Sequence, residues 1–144
     1  MSFKFAAKEI GLNRATEVKY SQKNVRRMYA WQLEQAKVQD MDTQISTAVD
    51  NGEDVDSLIR KQYQMNIDFM DHTRAFMNDV LKLTAKQLEK FDDMEVTEAT
   101  NLAVRLSMRL MGMSDKQVTA AMEANSEDED DTSKKSAPES ESSN

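Results

Sequence analysis

The stretch from residue 54 to residue 83 constrains the fold more than any other part of the chain. On a helix that turns about 100° per residue, its apolar side chains fall within an arc of roughly 200°. A helix that packs on one neighbour needs an apolar arc of only about 100°, so this helix is expected to be covered from two directions. The arc holds Val55, Leu58, Ile59, Tyr63, Met65, Ile67, Phe69, Met70, Phe76, Met77, Val80, Leu81 and Leu83. So much apolar surface in a short chain predicts a homo-oligomer.

The composition favours helices elsewhere too. With three Gly and one Pro in 144 residues, few tight turns and long helices are expected. We predict an elongated, all-α protein with one helical domain over residues 1–124 and two long helices at about 21–49 and 54–83. The remainder, 125–144, is acidic, Ser-rich and poor in apolar residues, and is predicted to be disordered.

The first long helix has an apolar face that changes direction along its length. Val25, Tyr29 and Leu33 share one side, whereas Met41 and Ile45 share another, about half a turn away. Either the helix breaks near residues 39–42, or its halves contact different bodies. Ser21 is the expected N-cap, and the Asp50-Asn51-Gly52 turn is expected to end the helix.

Residues 1–20 allow two interpretations. The segment SFKFAAKEIGLN is either a short helix that Ser2 caps and Gly11 ends, or an extended piece with Phe3 and Phe5 on one side. Periodicity alone does not choose between them.

Shorter helices are predicted after residue 83. Thr84 is expected to cap the first, and Val96 or Thr97 to open a second that is apolar nearly all round, as buried or interface helices are. Ser114 and Gln117 form a capping-box pattern for a last helix at about 115–124.

Charge is unevenly distributed. Residues 1–37 carry 8 basic and 3 acidic side chains, residues 38–122 carry 9 and 15, and residues 123–144 carry 2 and 8. A basic beginning and an acidic end suit head-to-tail contacts between copies or capture of a basic partner. The acidic excess makes nucleic acid an unlikely main ligand.

No residue pattern indicates catalysis, a metal or a cofactor. The chain has no Cys and one His, so His72 is interpreted as a residue at the edge of the apolar arc rather than a ligand. Asp92, Asp93 and Glu95 are interpreted as acids that favour a following helix N-terminus. The glycines do not form a phosphate-binding loop, and no apolar run is long enough for a signal peptide or a membrane span. We therefore predict a soluble, intracellular protein that is not an enzyme.

Two features suggest binding to other proteins. The chain has eleven Met, whose adaptable side chains suit surfaces that accept partners, although ordinary core packing is the simpler explanation. The predicted partner-binding residues are Met65, Phe69, Met70, Phe76, Met77, Leu102, Leu106, Met108 and Met111. In addition, Asn66 and Thr73 lie one heptad apart near the middle of the arc, where a buried polar side chain is predicted to set helix register or subunit number.

The size, the acidic helical body, the late helices in TEATNLAVRLSMRLMGMSDKQV (97–118) and the acidic Ser-rich end together resemble the tail assembly chaperones of long-tailed bacteriophages. The resemblance implies a protein of the host cytoplasm that binds the tape-measure protein, keeps it soluble and helps tail-tube subunits assemble. It also implies a longer form made by ribosomal frameshifting, for which the codons of Lys134 and Lys135 are the predicted place.

Other functions fit the same residues. The alternatives are a self-assembling helical scaffold or structural adaptor of a phage or bacterium, and a small regulatory binding module. A scaffold usually carries a basic helical end, whereas here the basic excess lies at the N-terminus. In each case the expected physical mechanism is a helix whose apolar stripe packs into an apolar helical groove.

Overall fold

The computed structural model describes residues 1–125. It contains a β-hairpin followed by five helices. The hairpin consists of β1 (Ser2–Ala7) and β2 (Leu12–Lys19), with a 3-10 turn at Lys8–Ile10. The helices are α1 (Gln22–Asp50), α2 (Asp56–Leu81), α3 (Ala85–Asp92), α4 (Val96–Leu110) and α5 (residues 115–125).

The hairpin corrects the all-α prediction. β1 alternates exposed and buried residues, so Phe3 and Phe5 both face the core, as the extended interpretation of this segment expected. Phe3 pairs with Val18 in the antiparallel register, and Val18 is also buried. The turn ends at Gly11, whose φ of 79° favours glycine. Burial of these side chains against the helices selects the extended form, which local periodicity does not reveal.

The two long helices are confirmed, with ends close to those predicted. The Ser21 side chain accepts a hydrogen bond from the Asn24 backbone N–H and caps α1. The helix runs unbroken to Asp50, so the break considered near residues 39–42 is absent. Gly52, with a φ of 71°, reverses the chain into α2.

The α1–α2 pair has two parts with different surroundings. The hydrophobic core that joins the hairpin to α1, α2, α3 and α4 reaches Val38 on α1 and Phe69 on α2. We call residues 1–38 and 69–125 the base, and the helical hairpin of residues 39–68 the arm. Met41 and Ala48 are buried in the arm but lie outside the core of the base. The arm is therefore held by contacts between its own two helices.

Trp31 lies at the centre of the base. Its indole stacks on Phe69 at 5.7 Å and on Phe76 at 5.5 Å between ring centroids. The indole Nε1–H donates a hydrogen bond of 2.8 Å to Thr73 Oγ1, and that hydroxyl donates one of 2.7 Å to the Phe69 carbonyl. Both buried polar groups are thus satisfied. This arrangement fixes how α1 and α2 face each other.

The helices after α2 begin where the sequence indicates. Thr84 and Gln87 form a reciprocal capping box for α3, and Ser114 and Gln117 exchange the same pair of hydrogen bonds at the start of α5. α4 opens at Val96, as predicted, and buries one face in the core of the base.

Two arginines of α4 contact β1. The guanidinium of Arg105 lies over Phe5 at 4.8 Å from the ring centroid, and that of Arg109 lies over Phe3 at 4.6 Å. Arg105 also donates a hydrogen bond of 2.6 Å to the Ala6 carbonyl. These contacts hold the β-hairpin against α4 in the base.

The acidic segment predicted to be disordered lies, apart from Asn125, outside the described residues, as do Lys134 and Lys135. Asn125 itself belongs to α5.

Candidate partner-binding surface

An apolar stripe on α2 remains exposed where the helix leaves the base. Tyr63, Ile67 and Met70 keep between 44% and 62% of their surface in contact with solvent. Their spacing of four and then three residues places them on one helix face. Phe69, beside them in sequence, is buried against Trp31 of α1. The stripe is therefore the part of the wide apolar arc that no other element of the described chain covers.

At its base end the stripe runs into a cleft between α2, α3 and α4. The cleft has a volume of about 180 Å³, and its apolar lining includes Phe69, Met70, Met94 and Ala99. Val96, at the first turn of α4, lines the cleft and is 58% exposed. Stripe and cleft together form a groove that can accept large apolar side chains from a partner.

The rim of the cleft is predominantly acidic. Asp71 and Asp92 line it, and Glu95 is the exposed N-cap residue of α4. The one basic residue of the lining, Arg74, donates a hydrogen bond of 2.8 Å to Asp92, which neutralises part of this charge. The surroundings favour a partner that carries basic residues beside its apolar ones.

The predicted partner-binding residues lie in four different places. Phe69 and Met70 line the cleft, as does Thr73. Met65, in the arm, lies beside Val38 of α1. Met108 and Met111 lie at the C-terminal end of α4, and Met111 Sδ is 3.4 Å from Gln32 Nε2. The remaining residues are buried in the core of the base: Phe76, Met77, Leu102 and Leu106. Partner binding by these residues stays a prediction.

The two residues predicted to set register lie in different environments. Thr73 is buried and holds the Trp31 indole, so within one chain it fixes how α1 and α2 face each other. Asn66 is exposed on the arm. A role of this pair in subunit number stays a prediction.

The sequence-based site omitted exposed apolar residues that belong to the same surface. The sequence places Tyr63 and Ile67 in the apolar arc but does not single them out as partner-binding residues, and it marks Val96 only as a helix start. No signal in the sequence shows that Tyr63 and Ile67 lie beyond the reach of the elements that follow α2. Only the structure shows this, because α3 and α4 pack on the C-terminal half of α2.

His72 lies on the side of α2 that faces α1. Its Nδ1 pairs with Glu34, and the hydrogen bond to Glu34 raises the pKa of His72. Slight burial lowers the pKa, whereas the charges of Glu34, Asp68 and Asp71 raise it further. Within residues 1–125, no group of three or more His, Asp or Glu side chains is placed to hold a metal ion.

None of the helices that the structure describes has both the length and the hydrophobicity needed to cross a membrane.

Comparison with known families decides the identity. A family model described as phage tail assembly chaperone proteins (TAC) matches residues 3–128. The chain belongs to this family of tail assembly chaperones. No curated protein and no solved structure matches the chain.

The match covers every element of this tail assembly chaperone, from β1 to α5. The β-hairpin is thus part of the family match, although the resemblance seen in the sequence rests on the size, the acidic helical body, the late helices and the acidic end. Family membership supports a role in phage tail assembly, and it suggests a role other than catalysis.

Proposed function

We propose that this chaperone binds the tape-measure protein of its phage in the host cytoplasm, keeps it soluble and aids assembly of the tail tube. The single observation that carries the proposal is the exposed stripe of Tyr63, Ile67 and Met70 leading into the cleft beside Val96. Membership in the family of tail assembly chaperones supports a partner among the tail proteins.

The partner segment that fits this groove is an amphipathic helix. Its apolar stripe would lie along α2 and insert one or two large side chains into the cleft, as in helix-in-groove recognition. Burying one large apolar side chain contributes about 1.5–3 kcal/mol, so a few such contacts are enough for stable binding. Basic residues beside that stripe would meet Asp71 and Asp92 at the rim, and Glu95 at the start of α4.

The acidic C-terminal segment has a separate role in this proposal. Residues 123–144 carry 8 acidic and 2 basic side chains, which oppose aggregation of the complex and attract basic tube proteins. The proposed chaperone activity requires no cofactor and no catalytic residue.

Co-expression with the tape-measure protein of the same phage tests the proposed function. The wild-type chain is expected to keep that protein in the soluble fraction and to co-purify with it. Replacing Tyr63, Ile67 and Met70 together by Ser is expected to weaken the complex by about a hundredfold or more, because truncation of central apolar residues at an interface can cost over 1 kcal/mol each.

The matched control replaces Tyr29 and Leu33 by Ser, which are equally exposed apolar residues on α1, away from the cleft. This control should retain binding. Equal loss in both variants would contradict the assignment to the α2 stripe. If the wild-type chain fails to solubilise or bind the tape-measure protein, the proposed function is wrong, and a scaffold or adaptor becomes the better interpretation.

A further inference from the structure

The cleft between α2, α3 and α4 is lined by side chains that make favourable contacts with aromatic rings. Phe69 and Phe91 contribute rings of their own, and Met70 and Met94 contribute thioether sulfurs. Pairs of rings, and contacts between sulfur and a ring, stabilise an aromatic occupant beyond the burial of its surface. An aliphatic occupant makes none of these contacts. The lining therefore favours an aromatic side chain over an aliphatic one.

Arg74 is a further lining residue that favours an aromatic occupant. Its side chain is 46% exposed, and its Nε donates a hydrogen bond of 2.8 Å to Asp92, which limits the movement of the guanidinium. A planar guanidinium stacks well on an aromatic ring. The base already contains such a contact, in which Arg105 lies over Phe5 at 4.8 Å from the ring centroid.

The size of the cleft suits one ring. Its volume is about 180 Å³. An apolar protein cavity of about 150 Å³ is large enough to bind benzene. Ala99 of α4 contributes a short side chain to the lining, and a longer one at this position would occupy the same space. The cleft therefore has room for a single aromatic side chain.

We propose that this cleft binds one aromatic side chain of the amphipathic tape-measure helix, which we call the anchor residue. The inference rests on the proposed function and adds to it the type of residue that is recognised. Tyr63 lies seven residues before Met70, about 10 Å along α2. A partner helix along α2 therefore places an apolar residue seven positions from its anchor residue against Tyr63. Asp71, at the rim, favours a basic residue near the anchor residue.

The test begins with the complex of the full chain and the co-expressed tape-measure protein. Hydrogen exchange identifies the tape-measure segment that the chain protects, and a synthetic peptide of that segment is the probe. Each aromatic residue of the peptide is replaced in turn by Ala and by Leu. Replacement of the anchor residue by Ala is expected to weaken binding by about thirtyfold or more, as at an interface hot spot. Replacement by Leu keeps an apolar side chain and should cost about threefold or more.

A variant with a filled cleft locates the anchor residue on the chain. Ala99→Phe should weaken binding of the unchanged peptide by about tenfold or more and should scarcely affect the peptide whose anchor residue is Ala, because both changes remove the same contact. The matched control is Ala120→Phe, the same substitution at an exposed position of α5 outside the cleft, and it should bind as the wild type does. Met94→Ala is a second variant that widens the cleft, and it should shift the preference of the site towards a Trp anchor residue. Circular dichroism confirms that each variant is folded.

Methyl resonances of methionine give a signature that only a ring produces. In the complex with the unchanged peptide, the methyl resonances of Met70 and Met94 should move in the direction that a nearby aromatic ring causes. Substitution of the anchor residue by Leu should remove this shift. The methyl group of Met111, which is exposed at the end of α4 and does not line the cleft, is the internal control.

Several results would overturn the proposal. These are a protected segment without an aromatic residue, a peptide that does not bind by itself, equal affinity of the aromatic and Leu peptides, and additive losses from Ala99→Phe and the Ala peptide. A ring shift at Met111 in place of Met94 would also refute it. If the tape-measure protein binds but these results are found, only the aromatic anchor is wrong. If the tape-measure protein does not bind, the proposed function is wrong and the anchor is refuted with it.

Discussion

The base and the arm use the same two helices in different ways. In the base, α1 and α2 are packed by the β-hairpin, α3 and α4, and Trp31, Phe69 and Phe76 stack at the centre. In the arm, among residues 1–125, the two helices pack only on each other, and apolar residues such as Tyr63 and Ile67 stay exposed. Most of the buried apolar surface thus lies in the base, whereas the arm keeps apolar side chains exposed. A surface that binds a partner must be accessible, and a helix that is covered on one side only leaves its other face accessible.

Two methionines test this difference directly. Met77 is completely buried in the base, and Met41 is nearly buried in the arm. Met77→Ala should lower the free energy of unfolding by about 2–5 kcal/mol, and Met41→Ala by about 1 kcal/mol, because a thin helical pair collapses around the lost volume more readily. Urea denaturation measures both. Equal losses would show that the arm is packed as tightly as the base.

The hydrogen bond between Trp31 and Thr73 gives the next largest expected effect. Thr73→Val preserves the side-chain shape but leaves the Trp31 Nε1–H buried without an acceptor, which should cost about 1–3 kcal/mol. Thermal denaturation of this variant and of Thr47→Val, an exposed threonine in the arm, measures the difference. An unchanged melting temperature for Thr73→Val would mean that another acceptor satisfies the indole.

Hydrogen exchange sharpens the comparison residue by residue. Backbone amides of the arm are expected to exchange at least about tenfold faster than those of the same helices in the base, because local opening of the arm exposes few buried side chains. The comparison of residues 43–48 with residues 26–31 lies within α1 alone, so both segments belong to the same helix. Uniform protection along α1 would show that arm and base unfold as one unit.

The smallest expected effect concerns His72, where α2 meets α1 near the boundary between base and arm. Its pKa is raised, chiefly by the hydrogen bond to Glu34, so the charged form is favoured in the folded chain. This contribution is fully present below the pKa of the unfolded chain, near 6.5, and is lost as pH rises through the raised value. Because His72 is half exposed, the effect should stay below about 1 kcal/mol.

The measurement compares the wild type with His72→Gln by urea denaturation at pH 5 and pH 8. The wild type should lose its advantage over the variant at the higher pH. A difference that is the same at both values, or larger at pH 8, would contradict the pairing with Glu34.

Much of the fold follows from the sequence because helices are specified locally. The caps at Ser21, Thr84 and Ser114, the turn at Gly52 and the apolar arc of α2 depend on residues a few positions apart. Those predictions are confirmed. The late helices and the acidic end also led to the correct family.

The tertiary structure decided what local pattern leaves open. Residues 1–20 allow a helix or an extended piece, and only the burial of Phe3 and Phe5 against α4 selects the hairpin. The apolar arc of α2 likewise does not show which of its residues stay exposed in the folded chain. Phe76 and Met77 are buried, whereas Tyr63 and Ile67 are not, because α3 and α4 fold back on one half of the helix. Amphipathic spacing shows that one face of a helix is apolar. Which element covers that face is determined by contacts between residues that are far apart in the sequence.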